Sequence, residues 1–276
     1  MGKVRVLRYP YPIISVTNSH SIRQIDIVFE TLSVPPPYSH QYTFQLRFEK
    51  DAVQVKYELQ YTDRDELTEE EVWEEGFTPE DDYHWQGGLP QVWQATLLEH
   101  WGTTEWIAPE EAKNTPENAL LITTVSDDEG QQVGIPKLQA RWEYLLQELT
   151  QAVYEAAQRE HPLQLRYLER KGATEALSLT LRASFLQRSL EVDYTEGGHT
   201  HHETPSWSTL EPLLNTIYLL DYDSEKATTK PPTRSGQYLD PGDGHWYAFG
   251  KQVTNVGTKN HLAEIERFFS GYRKRT

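Results

Sequence analysis

The chain has 276 residues, no cysteine, 37 % hydrophobic content and a formal net charge of −16. Lack of cysteine excludes disulfides, thiol nucleophiles and thiolate-bound metals, and the charge argues against nucleic-acid binding because phosphate backbones repel it. No apolar run approaches the roughly 18 residues of a membrane helix, and 12 % aromatic content predicts a folded globule.

The opening residues, Met1 to Pro10, carry charge without an apolar stretch, so they do not read as a signal peptide. Gly2 invites myristoylation, but Val6 stands where that motif needs Ser or Thr. The expected location is cytoplasmic.

Lys3 to Val16 reads as an edge strand, because Pro10 and Pro12 cannot sit in a sheet interior. Ile25 to Thr31 reads as a second strand, and Pro35-Pro36-Pro37 as an extended connector. Gln41 to Glu49 and Val53 to Tyr61 alternate around Lys50-Asp51, the pattern of an antiparallel hairpin. Thr68 followed by Glu71 is a capping box that opens a short acidic helix, and Gly76 stops it. A helix is predicted from about Leu89 to Trp101, then a strand over Ala119 to Val125.

Pro136 opens the longest predicted helix, which Pro162 ends. Leu138, Trp142, Leu145, Leu149, Ala152 and Ala156 recur at steps of three and four along one face. Leu163 to Glu169, Ala176 to Ala183 and Leu186 to Tyr194 read as a three-stranded meander. Thr204-Pro205 starts a helix through Leu210, Leu213, Leu214, Ile217 and Tyr218. A hairpin turns at Asp240-Pro241-Gly242-Asp243-Gly244, and a last helix runs from about Asn260 to Phe269 with Gly271 as its stop.

The expected fold class is α+β, with antiparallel β-meanders covered by helices and two similar lobes. Residues 1–126 hold the N-terminal meander and the acidic, Trp-bearing helices. Residues 137–276 hold the long helix, second meander, helix, hairpin and C-terminal helix. Asp127-Asp128-Glu129-Gly130 marks the connector at 127–136. Sliding one half by 133 positions pairs Leu46 with Leu179, Gln54 with Gln187, Glu58 with Glu191, Tyr61 with Tyr194 and Thr62 with Thr195, which raises an internal duplication. In that alignment the acidic helix falls where the His cluster falls.

Two segments carry candidate function. Between Thr62 and Tyr83 stand eleven acidic residues against a single cation, Arg64. Glu69, Glu70, Glu71, Trp73, Glu74, Glu75, Asp81, Asp82 and Trp85 form the candidate contact surface for a basic protein partner, since tryptophans anchor interfaces and rim charge steers encounter. A solvated acidic face is the plainer account of the same run.

The second segment is Gly-Gly-His-Thr-His-His-Glu, where His199, His201, His202 and Glu203 supply nitrogen and oxygen ligands suited to a transition metal such as zinc. In extended backbone His199, His201 and Glu203 share one side and His202 takes the other. Further ligands would have to come from His20, His40 or His245. A mobile polar loop accounts for the same residues.

Other fragments carry less. His202-Glu203-Thr204 is a lone His-x-Thr element, Glu169-Arg170-Lys171 lacks a partner acid, and Asp221-Tyr222-Asp223 follows a helix rather than a strand. Neither glycine-rich phosphate cradle is present, nor His-Glu-x-x-His, nor Gly-x-Ser-x-Gly. The leading expectation is therefore a non-enzymatic interaction module, of inhibitor, immunity or assembly-subunit type. The alternative is a metal-dependent hydrolase or metal-binding protein centred on the His cluster.

Overall fold

A computed structural model describes residues 21–78, 80–109, 118–172 and 174–274. The expected strand from Lys3 to Val16 lies outside the described residues. The chain is α+β, and no described helix is long and apolar enough to cross a membrane. It divides into two compact units, residues 1–159 and 160–276.

In the first unit, β1 (Ile22–Thr31), β2 (His40–Phe48) and β3 (Ala52–Tyr61) form an antiparallel meander. After α1 (Glu69–Glu74), β4 (Tyr83–Pro90) pairs with β3. Then come α2 (Val92–Gly102), β5 (Trp106–Ile107), β6 (Asn118–Ser126), β7 (Gly130–Pro136) and α3 (Gln139–Ala156). The sheet order is β4-β3-β2-β1-β6-β7-β5.

Alternation along the meander works as the residues dictate. Phe44 and Leu46 lie opposite Tyr57 and Val55, so both strands of this hairpin send their apolar side chains to one buried face. Trp142, Leu145, Leu146, Leu149, Ala152 and Val153 are the buried apolar side of α3, which packs against β4 and β7. Leu138 falls outside that stripe at 68 % exposed, because α3 begins only after it.

Three expectations change here. Residues 83–90 form a strand, and the helix placed from Leu89 starts at Val92. Residues 127–136, read as a connector between lobes, hold the β6–β7 turn and β7 itself. The long helix accordingly stays with the first unit, and the division falls at residue 159.

In the second unit, β8 (Leu163–Lys171), β9 (Thr174–Ser184), β10 (Ser189–Glu196) and β11 (His199–Glu203) form a four-stranded meander. They are followed by α4 (Leu210–Ile217), β12 (Leu220–Tyr222), β13 (Gly236–Asp240), β14 (Tyr247–Ala248), β15 (Val253–Asn255) and α5 (His261–Ser270). The main sheet runs β11-β10-β9-β8-β13-β14, and β12 pairs with β15. Asn260 caps α5 by accepting from the Ala263 N–H at 3.1 Å. Gly271 does not stop that helix in a left-handed conformation; its φ is −59° and the chain continues as a 3₁₀ turn.

Apart from β5 on the first sheet and the separate β12–β15 pair, the two sheets order their strands alike: four meandering strands with a hairpin added on the far side of the first. Residues paired across the first sheet form the row Trp85–Tyr57–Phe44–Ile27–Ile122. The corresponding row in the second is His201–Tyr194–Leu179–Tyr167–Leu239. In each, the strand tyrosine meets a tyrosine supplied by the closing helix or the turn after it: Tyr57 with Tyr154 at 6.4 Å, and Tyr194 with Tyr272 at 5.5 Å. In this comparison α1, between β3 and β4, corresponds in order to the Gly197-Gly198 turn between β10 and β11. The His cluster itself corresponds to β4, not to the acidic helix.

Candidate functional site

The acidic segment is a folded strap. Thr68 caps α1, accepting from the Glu71 N–H at 3.3 Å, while the Glu71 carboxylate accepts from the Thr68 N–H at 2.8 Å and hydroxyl at 2.9 Å. Those two donors hold the Glu71 carboxyl below the usual range. At the other end Gly76, with φ +82°, turns the chain so that the Phe77 N–H reaches the Val72 carbonyl at 3.1 Å. A helix of six residues is marginal alone, and Val72 is its one buried side chain, worth about 1.5–3 kcal/mol. Something else must fix it.

That something is Arg64. Its guanidinium lies 3.7 Å from the Tyr61 ring centroid and 4.7 Å from that of Phe77. It donates to the Thr78 carbonyl at 2.7 Å, the Pro37 carbonyl at 3.2 Å and the Asp81 carboxylate at 3.2 Å. Burial alone would raise the Asp81 carboxyl, but donation from the Thr78 N–H and hydroxyl and from Arg64 outweighs it, and the group sits below its ordinary value. Asp82 accepts from the Tyr61 N–H at 2.8 Å. The Tyr38 hydroxyl donates to Glu75, an arrangement that pushes the Tyr38 phenol up.

The nine candidate contact residues therefore separate by what they do. Glu71, Glu75, Asp81 and Asp82 bind the strap to itself and to the meander. Trp85 points to the inner face of β4 opposite Tyr57, and its ring lies over Gly87 so closely that an added Cβ there would come within 2.4 Å. Glu69, Glu70, Trp73 and Glu74 remain outward. Trp73 is 56 % exposed, and the three glutamates make no hydrogen bond or ion pair among the described residues. Arg64 was missed as a functional residue, and its signal was plain: the one cation in a run of eleven acids.

The His segment forms β11 at the margin of its sheet rather than a loop. The expected alternation holds, but His201, His202 and Glu203 are each engaged by a neighbour on β10. His201 stacks on Tyr194 with ring centroids 4.9 Å apart and planes 17° apart. Glu203 accepts from the Tyr194 hydroxyl at 3.4 Å. His202, on the opposite side, is 2.9 Å from Asp193, which also holds Arg182. His199 is exposed.

His245 is 3.1 Å from the Asp243 carbonyl in its own turn, and His40 is 2.8 Å from the Tyr38 carbonyl. His20 lies outside the described residues. Among the described residues, no three of His, Asp or Glu are gathered to hold a metal ion. The donor set the sequence suggests is thus spread over a strand, with His201 and Glu203 beside Tyr194 and His202 beside Asp193.

Comparison with known proteins finds no match, whether to family models, curated proteins or solved structures.

Proposed function

We propose that this chain is a non-enzymatic interaction protein, built as a tandem pair of one ββββαββα module, that engages a basic protein partner through Glu69, Glu70, Trp73 and Glu74. The observation that carries this reading is the exposed Trp73 on a helix held at both ends. A large indole left outward on a braced element gives an anchor that loses little conformational freedom on binding. The free carboxylates around it supply the rim that favours cationic partners. Inhibitor, immunity-type and assembly-subunit roles all use such a surface, by masking or joining a cationic face.

The test is affinity capture on three matched proteins: the natural chain, Trp73→Ala, and the triple change Glu69→Gln, Glu70→Gln, Glu74→Gln. A partner of high isoelectric point that is retained by the first and lost by both variants supports the proposal. The triple variant should also flatten the salt dependence of the remaining binding. Partners held equally by all three proteins would assign recognition to another surface and sink the idea.

A further inference from the structure

In the second unit α4 and α5 leave an open groove of about 370 Å³ between them. Its floor is apolar: Leu213 and Ile265 are buried beneath it, and Pro212 and Phe268 complete the walls. Two charged side chains line it, Glu264 and Arg267. They are not equivalent. Glu264 is already engaged, with the Lys259 ammonium at 3.4 Å and His261 at 3.3 Å. Arg267 has no ion pair or side-chain hydrogen bond among the described residues. In a chain of net charge −16, the groove thus offers one unneutralised cation beside an apolar floor.

We propose that this groove binds a small amphipathic carboxylate, its hydrocarbon body on Leu213, Ile265 and Phe268 and its carboxylate on the Arg267 fork. Size and charge choose the occupant. The volume lies near the lower end of the roughly 300–1,000 Å³ of small-molecule sites, which suits a short aliphatic chain. A planar guanidinium takes a carboxylate through two parallel N–H bonds, whereas an alcohol or an ammonium head gains nothing comparable from it. The site is separate from the acidic strap, so it stands or falls independently of the partner proposed above.

The experiment is an amide NMR titration of the intact chain with decanoate, 1-decanol and decyltrimethylammonium, below micelle-forming concentrations. Decanoate is expected to shift amides of α4 and α5. Arg267→Gln is expected to weaken decanoate by about tenfold, the loss of one charge-assisted contact, while leaving decanol unchanged. Thr216→Phe, which fills the groove from a half-buried position on its wall, is expected to abolish both. Absence of decanoate shifts in α4 and α5, equal affinity for decanoate and decanol, or full affinity in Arg267→Gln would each overturn the proposal. Comparing the variants' spectra without ligand separates a lost site from a lost fold.

Discussion

Arg166 and Asp240 face each other across β8 and β13 and form an ion pair in which the carboxylate is 1 % exposed. One carboxylate oxygen takes the guanidinium, with Nε at 2.7 Å; the other accepts the Gly242 and Gly244 N–H groups at 2.9 and 3.1 Å. Arg166 also lies 4.9 Å from the Trp246 ring. A buried carboxylate is costly unless every lone pair is used, and here one side chain joins two strands and closes the turn after them. Asp240→Ala should therefore cost about 3 kcal/mol in chemical denaturation, because it strands a charge and two turn amides. Asp240→Asn can still accept from Gly242 and Gly244, so it should cost less. Equal losses would mean the turn bonds contribute nothing.

Arg64, its side chain 12 % exposed, performs a comparable role in the first unit. Removing it as Arg64→Ala takes away two ring contacts and three hydrogen-bond acceptors' donor at once, an expected loss of about 1–2 kcal/mol. The larger effect should be local. Hydrogen exchange across residues 68–78 should accelerate more than in β1 or β2, since α1 buries only Val72. Arg64→Lys should rescue little, because an ammonium cannot lie flat between Tyr61 and Phe77 while reaching Thr78, Pro37 and Asp81. Uniform acceleration over the whole unit would show instead that Arg64 supports global stability.

How much of this was legible depends on the kind of signal. Strict alternation exposed the meanders, and a four-turn apolar stripe exposed α3, because both patterns are long and repeat a fixed period. β4 was hidden by its own chemistry. Gly87, Gly88 and Pro90 read as breakers, yet Gly87 is where the Trp85 ring lies, so the residue that disguises the strand is the one its packing requires. The shared wiring was only half visible. Tyr57 and Tyr194 correspond at a spacing of 137, Phe44 and Leu179 at 135, Trp85 and His201 at 116. No single slide of the sequence recovers those pairs. In the His cluster the sequence shows residue types but not their neighbours: His201 and Glu203 meet Tyr194, and His202 meets Asp193.

The network on the second unit's sheet gives a pH dependence. Asp193 is held below its ordinary 3.8 first by the Arg182 hydrogen bond and then by His202. A carboxyl lowered by folding adds stability that is present above its ordinary pKa and lost as pH falls through the lowered value. Asp193→Asn should accordingly lower stability near neutrality, where that contribution is present, and flatten the acid limb, so that the two proteins converge well below about pH 4. Direct titration of the Asp193 carboxyl by NMR should show its pKa rising in Arg182→Gln and rising less in His202→Ala. The reverse order would contradict the ranking of the two contacts.

Trp73 offers the sharpest contrast with the other tryptophans. Trp93 and Trp142 are 0 % and 1 % exposed, whereas Trp73 is 56 % exposed beside free glutamates. Replacing either buried ring by Ala should cost about 3–5 kcal/mol, while Trp73→Ala should stay within about 0.5 kcal/mol of the natural chain. Fluorescence quenching tests the setting as well as the exposure. Caesium should reach the Trp73 indole more readily than iodide, since the surrounding carboxylates concentrate cations and repel anions. The caesium-quenched fraction should drop sharply in Trp73→Phe. In the Glu69→Gln, Glu70→Gln, Glu74→Gln protein, the two ions should quench more nearly alike. If iodide quenches Trp73 as well as caesium does in the unmodified chain, the local field is too weak to steer a basic partner, and the acidic run is left with solvation and helix capping as its work.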